Sequence, residues 1–343
     1  MIRVFKSGRH AHRTPFSYAA LAPLFQNDII LVDQPEQADL YLFAHSLDIQ
    51  NASQVLVADW RRRRRPVVIL SEEPFWDTIW GGQPMERHIY IDTAFGSLPV
   101  IQLNHHTSDI FDFDKIPYYL LTNHRFVNAY RWRFRRNASR CLGQWRADFA
   151  NRPTDLSFMF ERRPERYHDV RWAQAGIVGL GAWRSTLAEA CNQGVVERLG
   201  QSWQGGQPRQ DLENWHLDKI TRLDGRARSI GSLENTHQPN YLTEKFFDAF
   251  ACGARPLYFA APEHRVHGVG VPEAAWLNLY GLTPTEAAAR VSETFVQSEF
   301  LEAWQLAQIR LAALFGDGAI LLHERQRLRH AVVQALQAVI EGD

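Results

Sequence analysis

Lys245 closes a run, Tyr241-Leu-Thr-Glu-Lys245, whose residue types suit the handling of a phosphate. Thr243 is a good helix N-cap, Glu244 falls in the first turn, and Phe246, Phe247, Phe250 and Ala251 stand at helical spacing. A helix N-terminus presents unpaired backbone N–H groups and a partial positive charge, so it attracts anions, phosphate above all. Lys245 in the first turn works against the helix dipole, a placement that suits a compact cation serving a phosphate oxygen. Glu244 beside it can accept hydrogen bonds from sugar hydroxyls. The same pattern also fits a surface helix that opens with Glu-Lys and buries an aromatic face.

A second group of candidate residues follows the apolar run Val67-Val-Ile-Leu70: Ser71-Glu72-Glu73-Pro74. Adjacent carboxylates at the carboxyl end of a buried strand lie where open α/β sheets bind ligands. Glu72 or Glu73 can then act as a general base toward a hydroxyl, if burial or the like-charged neighbour lifts its pKa. A plain charged loop beside Pro74 is the alternative. Trp76, Trp80 and Phe95 follow in a loop-rich stretch, where aromatic rings stack on sugar faces or are simply buried. Asn104-His-His-Thr-Ser-Asp109 and Asp112-Phe-Asp114 are the two metal-like patterns. Adjacent histidines on a strand point to opposite faces, and Asp112 and Asp114 read as a turn before a strand at Tyr118–Leu121, so no metal is expected.

The elements that must position these residues alternate. Arg228 opens a short apolar run that breaks at Glu234-Asn235-Thr236 and crosses a polar turn at Pro239; Gly253 ends the helix, and Arg255-Pro-Leu-Tyr-Phe259 reads as a strand. Strand–loop–helix–strand is the crossover unit of a parallel sheet. Toward the N-terminus, strands are expected at 2–5, 28–32 and 38–43, with a helix over Pro15–Phe25, which makes an α/β layer. Phe126–Phe149 reads as basic helix carrying Trp132 and Trp145. Such a helix lies on an anionic membrane or packs between domains with its arginines extended over apolar surface. Arg61–Arg65 reads as a solvated helix end rather than a nucleic-acid patch. The segments 282–296 and 301–340 read as helix.

Glu234-Asn235-Thr236, Tyr241-Leu-Thr-Glu-Lys245, Asp248-Ala249, Gly253 and Pro256 together resemble the signature of the family 10 glycosyltransferases, the α1,3/4-fucosyltransferases. The resemblance covers about forty residues well. It implies the GT-B fold, two Rossmann-like α/β domains facing across a cleft, with the acceptor on the first domain and the nucleotide sugar on the second. It implies inverting, metal-independent transfer of L-fucose, or a similar sugar, from GDP-fucose to a hydroxyl of a glycan acceptor, with no cofactor. By that resemblance Glu234, Asn235, Tyr241, Thr243, Glu244 and Lys245 bind the donor. Arg184, at the start of a helix over Ala182–Ala190, contacts the diphosphate, and the acidic-Pro segment supplies the base. The family's segment has a serine between acid and proline, which this chain lacks, so both Glu72 and Glu73 stand as candidates. A transferase using another nucleotide donor, and a non-catalytic relative that binds sugars or anionic polymers, are the alternatives.

The 343 residues allow two sizeable cores, expected at 1–150 and 151–320, with a C-terminal helix over 321–343 that packs back on the first domain. Thirty-eight basic residues balance 38 acidic ones, so no overall field points to nucleic acid or membrane. Three scattered cysteines form neither a metal spacing nor a disulfide framework and suit a reducing compartment. With no apolar signal core at 1–13, the expected location is the cytoplasm or the inner face of a membrane, as a peripheral protein.

Overall fold

The structure, a computed structural model, describes residues 1–203 and 211–342. The chain divides into two compact units, Met1–Asn123 with Leu322–Asp343, and His124–Leu321.

The first unit is built on a six-stranded sheet of β1 (Ile2–Lys6), β2 (Ile29–Leu31), β3 (Leu40–Phe43), β4 (Val67–Leu70), β5 (His88–Thr93) and β6 (Gly96–Leu103), in the order β2-β1-β3-β4-β6-β5. Every pairing is parallel except the β5–β6 hairpin. All residues of β3 (LYLF) and β4 (VVIL) are buried, as expected for central strands of a sheet covered on both faces. The helices here are short: α1 (Ala22–Phe25), α2 (Ser46–Gln50), α3 (Gln54–Arg63), α4 (Pro74–Trp76) and α5 (Tyr118–Leu121). Leu56 and Val57 of α3 pack on Tyr41, Phe43 and Ile69. The arginine run ends α3 as expected. Arg62 and Arg63 pair with the buried Asp59, and Arg64 turns into the left-handed region (φ 55°) as the helix C-cap.

The second unit carries α6 (His124–Ala138), α7 (Leu142–Ala150), α8 (Gly181–Ala190), α9 (Trp215–Leu223), α10 (Glu244–Ala251), α11 (Pro284–Val291) and α12 (Ser298–Gly316). Its sheet runs β10 (Val196–Leu199), β7 (Thr154–Met159), β11 (Ala227–Gly231), β13 (Arg255–Tyr258) and β14 (Leu277–Asn278), all parallel. A small antiparallel sheet joins β8 (Arg171–Trp172), β9 (Ile177–Gly179) and β12 (Thr236–His237). Leu156, Phe158, Leu187, Leu233 and Leu257 lie in its core. The last helix, α13 (Gly318–Glu341), supplies Leu322 onward to the first unit.

Several expectations need correction. The boundary expected near 150 falls between Asn123 and His124, because α6 and α7 are tied into the second unit. Arg136 makes a bidentate pair with Asp224 (2.8 and 2.7 Å), Asn137 donates to the carbonyls of Phe250 and Ala251, and Trp145 packs edge-on against Trp304. The basic helix is therefore an internal helix of one unit, its arginines largely paired, and no linker lies at 151–155. Tyr118–Leu121 is helical rather than a strand, entered from Pro117. Pro15–Phe25 holds only a single turn at Pro15–Ser17 and the four residues of α1. Among the described residues no group of acidic, histidine or cysteine side chains has the arrangement of a metal site.

Candidate functional site

Both sheets end their strands on residues of the expected kind, and each unit carries one constellation at its carboxyl edge. In the second unit the chain leaves β11, crosses the loop 232–243 and starts α10. Glu234 organises that start. Its buried carboxylate accepts from the Thr243 backbone N–H (3.0 Å), the Thr243 hydroxyl (2.7 Å) and the Lys245 ammonium (2.7 Å). Thr243 is the N-cap, its side chain accepting from the Lys245 N–H, and Lys245 also donates to the Thr243 hydroxyl at 2.9 Å. The cation at the helix start is thus held in place by a carboxylate and a hydroxyl. Beyond the helix, Gly253 takes φ 75°, a left-handed turn that glycine enters without a Cβ penalty, and the chain returns into β13.

Glu244 stands differently. It is 3% exposed, its backbone carbonyl accepts from the Tyr130 hydroxyl (3.3 Å), and its carboxylate lies 3.7 Å from the Lys245 ammonium, with no hydrogen bond to that carboxylate among the described residues. Burial opposes its ionisation, but Lys245 and Lys219 outweigh burial and hold it below the ordinary carboxylate range. Burial raises Glu234 instead, against the pull of Lys245. The helix start therefore pairs a cation with a charged carboxylate able to accept hydrogen bonds from a ligand.

Beneath this turn lies a buried charge cluster that the sequence did not suggest. Asp248 accepts from His216 Nε2 (2.8 Å) and the Tyr130 hydroxyl (2.7 Å) and forms an ion pair with Lys219 Nζ (2.8 Å). Burial would raise Asp248, yet Lys219 and His216 carry it far below its usual value. The i, i+4 placement of Glu244 and Asp248 on α10 was the available signal, since both must face the same side of a helix.

The remaining expected donor residues are placed as follows. Arg184 on α8 is 2% exposed, donates through Nη1 to the carbonyls of Leu233 and Glu234 (3.2 Å each) and lies over the Phe160 ring at 4.6 Å. It therefore braces the loop that carries Glu234. Asn235 accepts from the Leu180 N–H through its backbone carbonyl. Tyr241 is buried, and its carbonyl accepts from His264 Nε2 (3.1 Å). His264, buried beside His237, is pushed down to about 3 by burial and then by that neighbour.

In the first unit Glu72 and Glu73 follow β4 at the carboxyl edge, and their surroundings separate them. Glu72 is buried with both oxygens occupied: one accepts from Arg13 Nε (2.5 Å) and the Tyr18 hydroxyl (2.6 Å), the other from the Tyr118 hydroxyl (2.6 Å). Burial and the Glu72 charge push both tyrosines far above their ordinary range, so they stay protonated donors. Glu73 is the more open of the two and lies 3.9 Å from Arg13 Nη2. One turn on, burial pushes the Asp77 carboxyl up to about 8, with Ser71 acting in the opposite sense and Glu73 adding to the rise. Arg13, Tyr18 and Tyr118 had no signal in the sequence: two come from the polar stretch after β1, and the third from the segment expected to be a strand.

A cavity of about 440 Å³ opens elsewhere, at the amino edge of the second sheet beside Asp155, Arg228 and Glu293. Its neighbouring arginines serve the fold. Arg255 caps the α11 carbonyl of Val291 and lies 3.6 Å over the Phe295 ring, and Arg198 caps the end of α8. Volume and chemistry disagree on where a ligand belongs, and the chemistry sits at the carboxyl edges.

No protein-family model and no curated protein matches the chain. Among solved structures it is similar to a crystal structure of an α1,3-fucosyltransferase (13% identity, covering 100% of this chain and 90% of that one, TM-score 0.47). It is also similar to an α1,3-fucosyltransferase with GDP-fucose (13%, 93% and 90%, TM-score 0.44). A third similar structure is Anabaena Alr3699/HepE in complex with UDP (12%, 98% and 100%, TM-score 0.40).

Proposed function

We propose that the chain is a glycosyltransferase of the GT-B kind that moves a sugar, L-fucose on the strength of the ENT…YLTEK block, from a nucleoside diphosphate to a hydroxyl of a glycan. The observation that carries this reading is the Glu244–Lys245 start of α10. An ionised, buried carboxylate that takes no hydrogen bond among the described residues stands beside an anchored ammonium, at the carboxyl edge of a parallel sheet. A diphosphate supplies the anion for Lys245 and the helix N–H groups, and a ribose or sugar hydroxyl supplies the donor that Glu244 lacks. By the same resemblance Asn235 holds a sugar hydroxyl and Tyr241 lines the nucleotide site. Glu234, Thr243 and Arg184 act by positioning, the first two by fixing Lys245 and the third by bracing the loop.

In this mechanism the acceptor oxygen attacks the anomeric carbon, the bond from that carbon to the diphosphate oxygen breaks, and the diphosphate leaves with its electron pair. Charge accumulates on the leaving group, and Lys245 with the helix dipole stabilises it; contacts of this type, strongest in the transition state, are what accelerate the step. The acceptor proton passes to a carboxylate of the first unit. Glu73, the more exposed of the pair, takes that role, and Glu72 holds Arg13 and the two tyrosines around it. No cofactor enters. The three free cysteines fit an enzyme working in the cytoplasm or at the inner face of a membrane.

The test is a donor screen. GDP-fucose, GDP-mannose, UDP-glucose and ADP-glucose are each incubated with the protein and mixed glycans, and the liberated nucleoside diphosphate is measured. Release of GDP from GDP-fucose supports the full reading. Release from another donor keeps the transferase and corrects the sugar. Binding without release from any donor identifies a non-catalytic relative and overturns the enzyme.

A further inference from the structure

Glu244 and Asp248 stand one turn apart on α10, and helical geometry sends side chains at that spacing to the same face. Both are buried. Like charges so placed repel, and burial adds to the cost of each, so one of the two carboxylates would ordinarily take up a proton. Neither does. Burial pushes both upward, yet Lys245 and Lys219 hold Glu244, and Lys219 and His216 hold Asp248, below the ordinary carboxylate range. Lys219 is the side chain common to the two. It reaches in from α9 to a 2.8 Å ion pair with Oδ2 of Asp248. Burial opposes its charge, and Asp248 and then Glu244 outweigh burial, so it stays an ammonium.

Hydrogen bonding divides the pair. Asp248 accepts from His216 Nε2 (2.8 Å) and the Tyr130 hydroxyl (2.7 Å), so α9 and α6 support its charge even without Lys219. The Glu244 carboxylate takes no hydrogen bond among the described residues, and Lys245, 3.7 Å from it, is shared with Glu234 at 2.7 Å. Loss of the Lys219 charge therefore falls on Glu244, the carboxylate with the weaker support. The other groups around Glu244 do not replace that charge. Glu234, from the loop before α10, and Asp248 are acidic, Tyr130 of α6 and Tyr258 of β13 are held protonated, and His216 of α9 is committed to Asp248. A buried ion pair adds little stability over a well-packed apolar replacement, which directs attention to what Lys219 does for its neighbours.

We propose that Lys219 is a positioning residue for the donor turn: seated on Asp248, it lets two charged carboxylates share one helix face and so leaves Glu244 open to accept a hydroxyl of the nucleotide sugar. This deepens the donor half of the proposed transfer and rests on that reading.

Titration calorimetry of GDP-fucose into the full chain, between about pH 6 and about pH 8, tests it. The diphosphate of this donor is esterified at both ends and does not titrate in that range. Wild-type affinity is expected to stay level. Lys219→Gln keeps a polar group beside Asp248 and removes the charge, so Glu244 is expected to rise toward neutrality. A carboxylate raised in this way accepts hydrogen bonds above its pKa and ceases to below it, so affinity is expected to fall about tenfold from the upper to the lower pH. Lys219→Met carries the same expectation and serves if the glutamine variant does not fold. The level profile is expected to return in Lys219→Arg. It is also expected in the double variant with Glu244→Gln and Lys219→Gln, where no carboxylate remains at that position to titrate. A lysine that only supported the fold would weaken binding equally at each pH. A level profile in Lys219→Gln, or a slope that persists in the double variant, overturns the proposal while the donor reading stands. If the wild type binds no GDP-fucose, the donor reading falls and this role falls with it.

Discussion

Glu234 and Glu244 are both buried at the start of one helix, and their surroundings drive them apart. Glu234 is filled with donors from Thr243 and Lys245, whereas the Glu244 carboxylate faces the Lys245 ammonium at 3.7 Å and takes no hydrogen bond among the described residues. Glu244→Gln keeps the shape and removes the charged acceptor. It is expected to weaken GDP-fucose binding about tenfold, the worth of one charge-assisted hydrogen bond, while lowering the melting temperature only modestly through loss of its pairing with Lys245 and Lys219, as calorimetry and thermal unfolding measure. The opposite pattern holds for the acidic pair after β4. Glu72→Gln leaves Arg13 facing an uncharged partner in a buried site and is expected to cost ~3 kcal/mol in denaturant unfolding. Glu73→Gln is expected to leave stability within ~0.5 kcal/mol and to abolish transfer. Residue types and spacing were legible in the sequence here, since Lys245 and the Glu72–Glu73 pair stood out at once. Occupancy was not. Arg13, Tyr18 and Tyr118 come from distant segments, and only folding shows that they fill Glu72.

At the scale of the element, local signals held where chemistry is local. Val67–Leu70 forms the expected strand, and Thr283-Pro284 starts the expected helix through a capping box with Glu286. They failed at Tyr118–Leu121, where four apolar residues fit a strand or a helix equally and the tertiary setting decided. They also gave no hint of how the C-terminal helix attaches. Glu324 on α13 is fully buried and accepts from the backbone N–H groups of Asp114, Lys115 and Ile116, while Arg329 makes a bidentate pair with Asp28. Glu324→Ala is therefore expected to destabilise the first unit by ~2–3 kcal/mol, the cost of several buried donors left unpaired, and to speed proteolytic release of the C-terminal helix. Buried neutral histidines set a pH dependence in both units. His45 and His264 are pushed down from 6.5 to about 4 and about 3, chiefly by burial. With folded pKa values below the unfolded value, their contribution is fully present above pH 6.5 and is lost as pH falls through the folded values. Unfolding free energy is expected to fall between pH 7 and pH 4, and His264→Gln to flatten that slope while costing stability at neutral pH.

For the whole molecule, alternation of strands and helices correctly announced two α/β units, each on a largely parallel sheet. The boundary escaped because α6 and α7 carry a basic surface that resembles a connector, while their buried faces, through Tyr130, Asn137, Trp145 and Phe149, belong to the second unit. Charge balance over the chain also hid how unevenly charge is used, with ions buried in small closed groups such as Asp248 with His216 and Lys219. The account as a whole depends on the start of α10 holding a diphosphate. The most direct measurement is titration calorimetry of GDP, UDP and ADP into the wild type and Lys245→Ala. Saturable binding of GDP to the wild type, weakened at least about tenfold in Lys245→Ala by loss of one phosphate-paired cation, is the predicted result. Binding of none of the three nucleotides, or equal GDP affinity in the two proteins, would contradict it.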